Sequence, residues 1–156
     1  MAGSGNPRVL VDTNVLVYRV DPGDPRKEGV AADVLHRLRV AGEGVVSGQT
    51  VSEFASILVG RRARELRAGK VEAAVAAIVR EWPVTLVRPE TVELALVARE
   101  RFGFAFYDAQ IWAAAKLCGS KVVLSEDFTD GMVTGGVRFA DPFAEGFDLD
   151  ALTGAV

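Results

Sequence analysis

The segment from residue 9 to residue 17 constrains the fold more than any other part of the chain. It opens with Val9, Leu10 and Val11, the composition of a strand that is buried on both faces. Asp12 then interrupts the apolar run. A carboxylate at the end of a buried strand lies at the carboxyl edge of its sheet, where open α/β sheets bind ligands. The alternative is that Asp12 only caps the helix that follows it.

Short apolar segments alternate with helical patterns along the remaining chain. The periodicity predicts further strands at residues 45–46, 83–87, 122–124 and 137–139. Between them it predicts helices at residues 15–20, 26–40, 50–58, 70–80, 89–101 and 107–118. Because alternating strands and helices form βαβ units, we expect an α/β fold, a three-layer α/β/α sandwich with a central parallel sheet.

The sequence contains no linker and no internal repeat, which predicts a single domain over residues 1–156. Within it, we expect residues 1–7 to form a disordered tail and residues 142–156 a loose carboxyl-terminal tail. No apolar stretch is long enough to cross a bilayer. A single cysteine, Cys118, suits a reducing compartment. We therefore expect a cytoplasmic protein that does not bind membranes.

The scarcity of cysteine and histidine limits the chemistry. One cysteine excludes an internal disulfide and a cysteine-rich zinc site, and a single histidine, His36, excludes sites built on several histidines. The net charge of −3 gives no general attraction to nucleic acid, so such binding needs a local basic patch or metal ions. If the chain is an enzyme, we expect its acids and bases to be carboxylates or metal-bound water.

Four carboxylates occupy unusual positions in the predicted elements. Asp127 follows a short buried strand, as Asp12 does. Asp108 lies on the same helical stripe as the apolar Ile111, so its charge points toward the core, unless Asp108 caps the helix. Glu53 lies early in its helix, where it belongs either to a site or to a capping box with the threonine three residues before it.

The mutual repulsion of these acids decides what a cluster of them implies. Two carboxylates about 5 Å apart repel each other by roughly 3 kcal/mol at an effective dielectric constant near 20. Four of them together must take up protons or bind a cation. Oxygen ligands without histidine or cysteine favour the hard ions Mg²⁺ and Mn²⁺. An acidic site with such an ion is suited to phosphoryl chemistry, because the ion attracts a phosphodiester and activates water.

The motifs that carry these acids resemble a known family. Residues 11–16 (Val-Asp-Thr-Asn-Val-Leu), a helical glutamate in mid-chain, residues 107–111 (Tyr-Asp-Ala-Gln-Ile) and residues 124–128 (Leu-Ser-Glu-Asp-Phe) are similar to the PIN-domain family. Within it, the resemblance is to the VapC-like toxins of bacterial toxin–antitoxin pairs. The similarity extends from about residue 8 to residue 142.

The resemblance implies a metal-dependent endoribonuclease that is a homodimer and is controlled by a small antitoxin protein. It implies that the catalytic and metal-binding acids are Asp12, Glu53, Asp108 and Asp127. Asn14 and Ser125 match polar positions that support the site, and Asp130 is a candidate for an acid further from the ion.

A basic cluster in mid-chain allows two interpretations. As the solvated end of a helix, its cations interact favourably with the helix dipole. As part of a site, they bind RNA phosphates or an acidic segment of an antitoxin. The candidate RNA-binding residues in this cluster are Arg61, Arg62 and Arg64.

The leading hypothesis is an endoribonuclease that uses Mg²⁺ or Mn²⁺ and attacks the RNA phosphodiester with metal-activated water. Two other functions stay open. A phosphatase with Asp12 as nucleophile usually needs a second acid two residues on, where this chain has Asn14. A non-catalytic module with the same fold would bind RNA or a partner protein without cleaving anything.

Overall fold

Six short strands form one mostly parallel sheet in the computed structural model, which describes residues 9–20, 23–60 and 70–154. The strands are β1 (Val9–Val11), β2 (Gly44–Ser47), β3 (Val84–Thr85), β4 (Val122–Leu124), β5 (Val133–Thr134) and β6 (Val137–Ala140). Their order across the sheet is β3-β2-β1-β4-β6-β5. Every pair is parallel except the β5–β6 hairpin.

Helices cover both faces of this sheet. They are α1 (Thr13–Val20), α2 (Pro25–Ala41), α3 (Gly48–Val59), α4 (Lys70–Glu81), α5 (Pro89–Phe102), α6 (Phe106–Cys118) and α7 (Leu149–Thr153). The side chains of β1 alternate between two cores: Val9 and Val11 pack with α1 to α4 and α7, whereas Leu10 packs with α5 and α6. The predicted α/β/α sandwich is therefore confirmed, with an antiparallel strand added at one edge.

Local sequence signals explain where several helices begin and end. The Asp24 side chain accepts a hydrogen bond from the Lys27 amide and so caps α2, which begins at Pro25. The α2 helix ends at Gly42, which adopts the left-handed conformation with a φ of 67°. None of the helices in the described parts of the chain is long and apolar enough to cross a membrane.

Strand β6 was predicted at residues 137–139, but β5 and its hairpin with β6 were not predicted. The two strands are joined by Gly135 and Gly136, which have φ values of 55° and 82°. Two consecutive positive φ angles are typical of the tight turns that connect hairpin strands, and glycine adopts them without strain. The indole of Trp112 donates a hydrogen bond of 2.9 Å to the Thr134 carbonyl and holds the hairpin on α6. The paired glycines were the available sequence signal.

The segment after residue 142 also differs from the expected loose tail. Phe143 and Leu149, the first residue of α7, are buried in the same core as side chains of α1 and α2. The Arg26 guanidinium donates to the Phe143 carbonyl at 2.6 Å, and the Phe143 ring meets the edge of Tyr18 with centroids 4.9 Å apart. Isolated apolar residues without periodicity gave no helix or strand signal, although they pack well. The predicted tail at residues 1–7 lies outside the described residues.

Replacing Phe143 by alanine tests whether this segment is part of the folded domain. We expect Phe143→Ala to lower the free energy of unfolding by about 3 to 5 kcal/mol, because it leaves a cavity in the core. The matched control is Glu145→Ala in the same segment, where the exposed side chain predicts a change below about 0.5 kcal/mol. Urea denaturation measures both. A Phe143 variant as stable as the wild type would mean that the segment is a loose tail after all.

Candidate active site

The sheet topology creates a crevice beside β1. From β1 the chain continues outward through β2 to β3, and then returns to place β4 on the other side of β1. Such a reversal opens a ligand-binding crevice at the carboxyl ends of the two central strands. A cavity of about 460 Å³ lies where Asp12 follows β1. Its lining includes Asp12, Asn14, Gln49, Glu53, Asp108 and Asp127.

Asp12 is the most buried of the four acids, with 6% of its surface exposed. Its Oδ1 accepts a hydrogen bond of 2.7 Å from the Thr13 amide, and its Oδ2 accepts one of 2.7 Å from the Ser125 hydroxyl. Burial raises the pKa of Asp12 to about 6; the two hydrogen bonds oppose this shift, and the charges of Asp127 and Glu53 add to it. A capping residue bonds the amide of the second or third helical residue, so Asp12 is not an ordinary cap.

Ser125 connects the ends of β1 and β4. While its hydroxyl donates to Asp12, its oxygen accepts from the Asn14 side-chain amide at 3.0 Å and from the Asp127 backbone amide at 3.1 Å. The Asn14 amide nitrogen also donates to Asp127 Oδ2 at 3.1 Å. Asn14 and Ser125 therefore hold the carboxylates of Asp12 and Asp127 in place.

Glu53 reaches the cavity from α3. Its Oε2 accepts a hydrogen bond of 2.9 Å from the Thr13 hydroxyl, and its Oε1 accepts one of 2.8 Å from the Gln49 amide. The cap of α3 is Ser47, whose hydroxyl oxygen accepts from the Thr50 amide at 3.0 Å. The capping box between Thr50 and Glu53 is thus not formed, and the glutamate carboxylate is held at the cavity instead.

Asp108 lies in the first turn of α6, which begins at Phe106 after the N-cap residue Ala105. It is therefore not the cap of this helix. Partial burial raises the pKa of Asp108, and the charges of Asp127 and Glu53 raise it further. The same two neighbours raise the pKa of Asp12, so the four acids lie within electrostatic reach of one another.

Lys27 is paired with Glu126, a residue that lines the cavity. Lys27 Nζ binds Glu126 Oε2 at 2.5 Å and the Tyr18 hydroxyl at 3.0 Å, and both contacts raise its pKa. Because the Lys27 charge is balanced by Glu126, it does not neutralise the four cavity acids. Among the described residues that line it, the cavity therefore keeps a surplus of negative charge that a cation would relieve.

The side chains fit a hydrated divalent ion better than a closed metal cage. Among the described residues, no three histidine, cysteine or carboxylate side chains are already arranged to hold one ion. Mg²⁺ is usually bound by one or two carboxylates and keeps several waters, so it needs no such cage. Within the same residues, the buried Oδ1 of Asn14 accepts no hydrogen bond, which leaves an acceptor for a bound water. Oxygen donors alone favour Mg²⁺ or Mn²⁺ over zinc.

Among the described residues, one predicted site residue, Asp130, does not line this cavity. The Oδ1 of Asp130 accepts a hydrogen bond of 2.9 Å from the Asp141 amide, and Asp130 lines a different cavity beside β6 and α7. The arginines Arg61, Arg62 and Arg64 lie outside the described residues. Conversely, sequence reasoning missed Thr13 and Gln49. The sequence signal for Gln49 was its position four residues before Glu53 on the same helix, where two side chains can interact.

Comparisons with known proteins agree with this architecture. A family model, PIN domain, matches residues 9–129. VapC20 of Mycobacterium tuberculosis, a toxin that cleaves the sarcin-ricin loop, has a similar structure with a TM-score of 0.56. It is 21% identical over 74% of this chain and 86% of its own.

Two further solved structures are similar to this chain. FitAB bound to an IR36 DNA fragment has a TM-score of 0.65, with 19% identity over 89% of this chain and 98% of the other. A toxin–antitoxin complex from Klebsiella pneumoniae has a TM-score of 0.59, with 15% identity over 86% of this chain and 97% of the other. At such identities the likeness is one of fold. No curated protein sequence matches the chain significantly.

The raised pKa of Asp12 predicts an unusual pH dependence of stability in metal-free buffer. A carboxyl group whose pKa rises from 3.8 to about 6 on folding binds its proton more tightly in the folded state. The contribution of Asp12 to the free energy of unfolding is therefore greatest below about pH 4, and it falls by an amount on the order of 3 kcal/mol as the pH rises from about 4 to 6.

Asp12→Asn should remove most of this pH-dependent decrease in the free energy of unfolding. The test is the slope with pH and not the stability at one pH, which the substitution can change in either direction. The matched control is Glu93→Gln, an exposed acid on α5, which should keep the wild-type slope. Urea denaturation in EDTA between about pH 4 and pH 7 measures all three proteins. Parallel curves for the wild type and Asp12→Asn would show that Asp12 does not carry the effect.

Proposed function

The chain belongs to the PIN domain family, and on that basis we propose that it is an endoribonuclease that requires Mg²⁺ or Mn²⁺. The proposed metal-binding and catalytic acids are Asp12, Glu53, Asp108 and Asp127. The observation that carries the proposal is that all four line one cavity at the carboxyl ends of β1 and β4. Similarity of fold to a toxin that cleaves the sarcin-ricin loop supports RNA as the substrate class.

The described contacts support a proposed task for each side chain. Ser125 and Asn14 orient Asp12 and Asp127, and Thr13 fixes one oxygen of Glu53. Asp12 and Asp127 would hold the ion together with Glu53. The bound ion would supply charge neutralisation for the phosphodiester and lower the pKa of water.

Proton transfer is proposed for Asp108. Partial burial and the charges of Asp127 and Glu53 raise its pKa above the ordinary aspartate value, so its carboxylate is a better proton acceptor than an ordinary aspartate. The absence of a histidine from the lining of this cavity fits a mechanism in which water, not the ribose 2′-hydroxyl, attacks phosphorus.

Cleavage of RNA by the purified protein tests the proposal. We expect cleavage with Mg²⁺ or Mn²⁺, none in EDTA, and products with a 5′-phosphate and a 3′-hydroxyl. Asp108→Asn should lower the rate by at least about 100-fold, the effect typical of losing a proton acceptor. The matched control is Asp130→Asn, which lies outside the cavity and keeps an oxygen for the Asp141 amide, and should cleave like the wild type.

Other outcomes identify the competing functions. Products with 2′,3′-cyclic phosphate would contradict the water mechanism. A phosphorylated intermediate trapped on Asp12 would indicate a phosphatase. RNA binding that survives EDTA, without cleavage at high protein concentration, would indicate a binding module.

We propose further that the protein is the toxin of a toxin–antitoxin pair and acts as a homodimer. One similar structure is a toxin–antitoxin complex, and a cavity with four acids suits an arginine or lysine from a small antitoxin. A guanidinium binds carboxylates through two parallel hydrogen bonds. Exposed apolar side chains in the α5–α6 layer support self-association: Leu96, Val97 and Leu117.

Purification from the native cell and light scattering test these two assignments. We expect the natively expressed protein to co-purify with a small partner and to be inhibited by it. Active protein without any partner would argue against a toxin. The isolated chain should scatter light as a dimer at tens of micromolar, an order-of-magnitude choice, whereas a strict monomer there would exclude the homodimer.

A further inference from the structure

The chain contains two glutamines, Gln49 and Gln110, and the fold brings them into direct contact. Gln49 lies in the first turn of α3 and Gln110 in α6, 61 residues further along the chain. The Gln110 side-chain nitrogen donates a hydrogen bond of 2.7 Å to Gln49 Oε1. Each residue has only 7% of its surface exposed. Buried amides are retained where their hydrogen bonds are satisfied, because an unpaired one is costly.

The hydrogen bonds of Gln49 have a fixed direction. Its Nε2 donates to Glu53 Oε1 at 2.8 Å and to the Tyr107 carbonyl at 3.2 Å. A carboxylate and a carbonyl only accept, so the nitrogen must face them and the Gln49 oxygen must face Gln110. Both hydrogens of the Gln49 amide and its oxygen are thereby used. The two hydrogen bonds therefore form a chain with one direction: Gln110 donates to Gln49, and Gln49 donates to the Glu53 carboxylate.

This arrangement links two of the cavity acids. The Gln49 nitrogen that holds Glu53 also holds the carbonyl of Tyr107, the residue before Asp108. Because Thr13 already holds the other oxygen of Glu53, the Gln49 bond fixes the remaining rotation of the carboxylate. Loss of Gln110 would leave the Gln49 oxygen buried without a donor, and its amide would no longer be held in one orientation.

We infer that Gln49 and Gln110 are positioning residues for Glu53: Gln110 orients the Gln49 amide, and Gln49 sets the Glu53 carboxylate for metal binding. The inference rests on the proposed function, since it assigns Glu53 to the metal site. Side chains that orient metal ligands in this way strengthen metal binding by about 10- to 100-fold. Neither glutamine needs to touch RNA or the ion.

A double-mutant cycle on Mn²⁺ affinity tests the inference. The variants are Gln49→Met, Gln110→Met and the double variant, in which methionine keeps the volume and removes the amide. We expect Gln49→Met to raise the Mn²⁺ dissociation constant by about 10-fold, measured by titration calorimetry, and Gln110→Met to raise it by less. Because Gln110 acts only through Gln49, the double variant should bind Mn²⁺ like Gln49→Met alone.

Cleavage provides the second measurement. RNA cleavage by the single variants should fall at low Mn²⁺ and recover at saturating Mn²⁺. Thermal melts in EDTA establish that each variant folds, and Gln110→Met is the milder change because it removes no hydrogen bond made directly to Glu53. The matched control is Thr91→Val, which removes a buried hydroxyl outside the cavity and should lower stability without changing the Mn²⁺ dissociation constant.

The outcomes separate this inference from the proposed function. Wild-type protein that neither binds Mn²⁺ nor cleaves RNA rejects the proposed function, and the inference with it. Wild-type protein that does both, with folded glutamine variants that bind Mn²⁺ equally well, rejects the inference alone. The inference would also be overturned if the fold-increases in the Mn²⁺ dissociation constant caused by the two single substitutions multiplied in the double variant. The two glutamines would then act independently.

Discussion

The parallel pairing of β1 with β4 is the contact on which the site depends. Val11 lies opposite Leu124 in this register, and the Asp12 amide donates to the Leu124 carbonyl at 3.0 Å. The residues that follow each strand, Asp12 and Ser125, are therefore brought side by side although 113 positions separate them. A shift of this pairing by one residue would turn every side chain of the strand to the opposite face. The side chains of β1 alternate between the two hydrophobic cores, and this alternation fixes the register of the strand pair. The position of Asp12 beside Ser125 is fixed with it.

The same contact concentrates charge where charge is unfavourable. Asp12 is buried beside other acids, and burial dominates its pKa shift. The polar groups around it, the Ser125 hydroxyl and the Thr13 amide, offset part of this cost without removing it. The burial of these charges lowers stability at the carboxyl edge of the sheet, where side chains from distant parts of the chain meet. Such a conflict between packing and charge is characteristic of functional sites.

The sequence was sufficient to predict features that depend on local pattern. Buried strands, amphipathic helices and acids at their ends all leave a periodic signal, and from these the sandwich follows. Contacts made by isolated residues leave no periodic signal in the sequence. Phe143 packs into the core although the residues around it show no periodicity. The contact between Gln110 and Gln49 depends on how α3 and α6 are arranged in the fold, which the sequence pattern does not give. The family resemblance made Asp130 a candidate for an acid further from the ion, whereas its Oδ1 accepts a hydrogen bond from the Asp141 amide.

The wall of the cavity is assembled from segments that are synthesised at different times. Phe143 supports Tyr18, and Lys27 lies 4.4 Å from the centre of the Tyr18 ring while it binds Glu126, next to Asp127. A nascent chain that stops before β4 already contains Asp12, Glu53 and Asp108, but it lacks the serine and the aspartate that complete their surroundings. The wall of the cavity therefore depends on contacts between residues that lie as far apart in the chain as Tyr18 and Phe143.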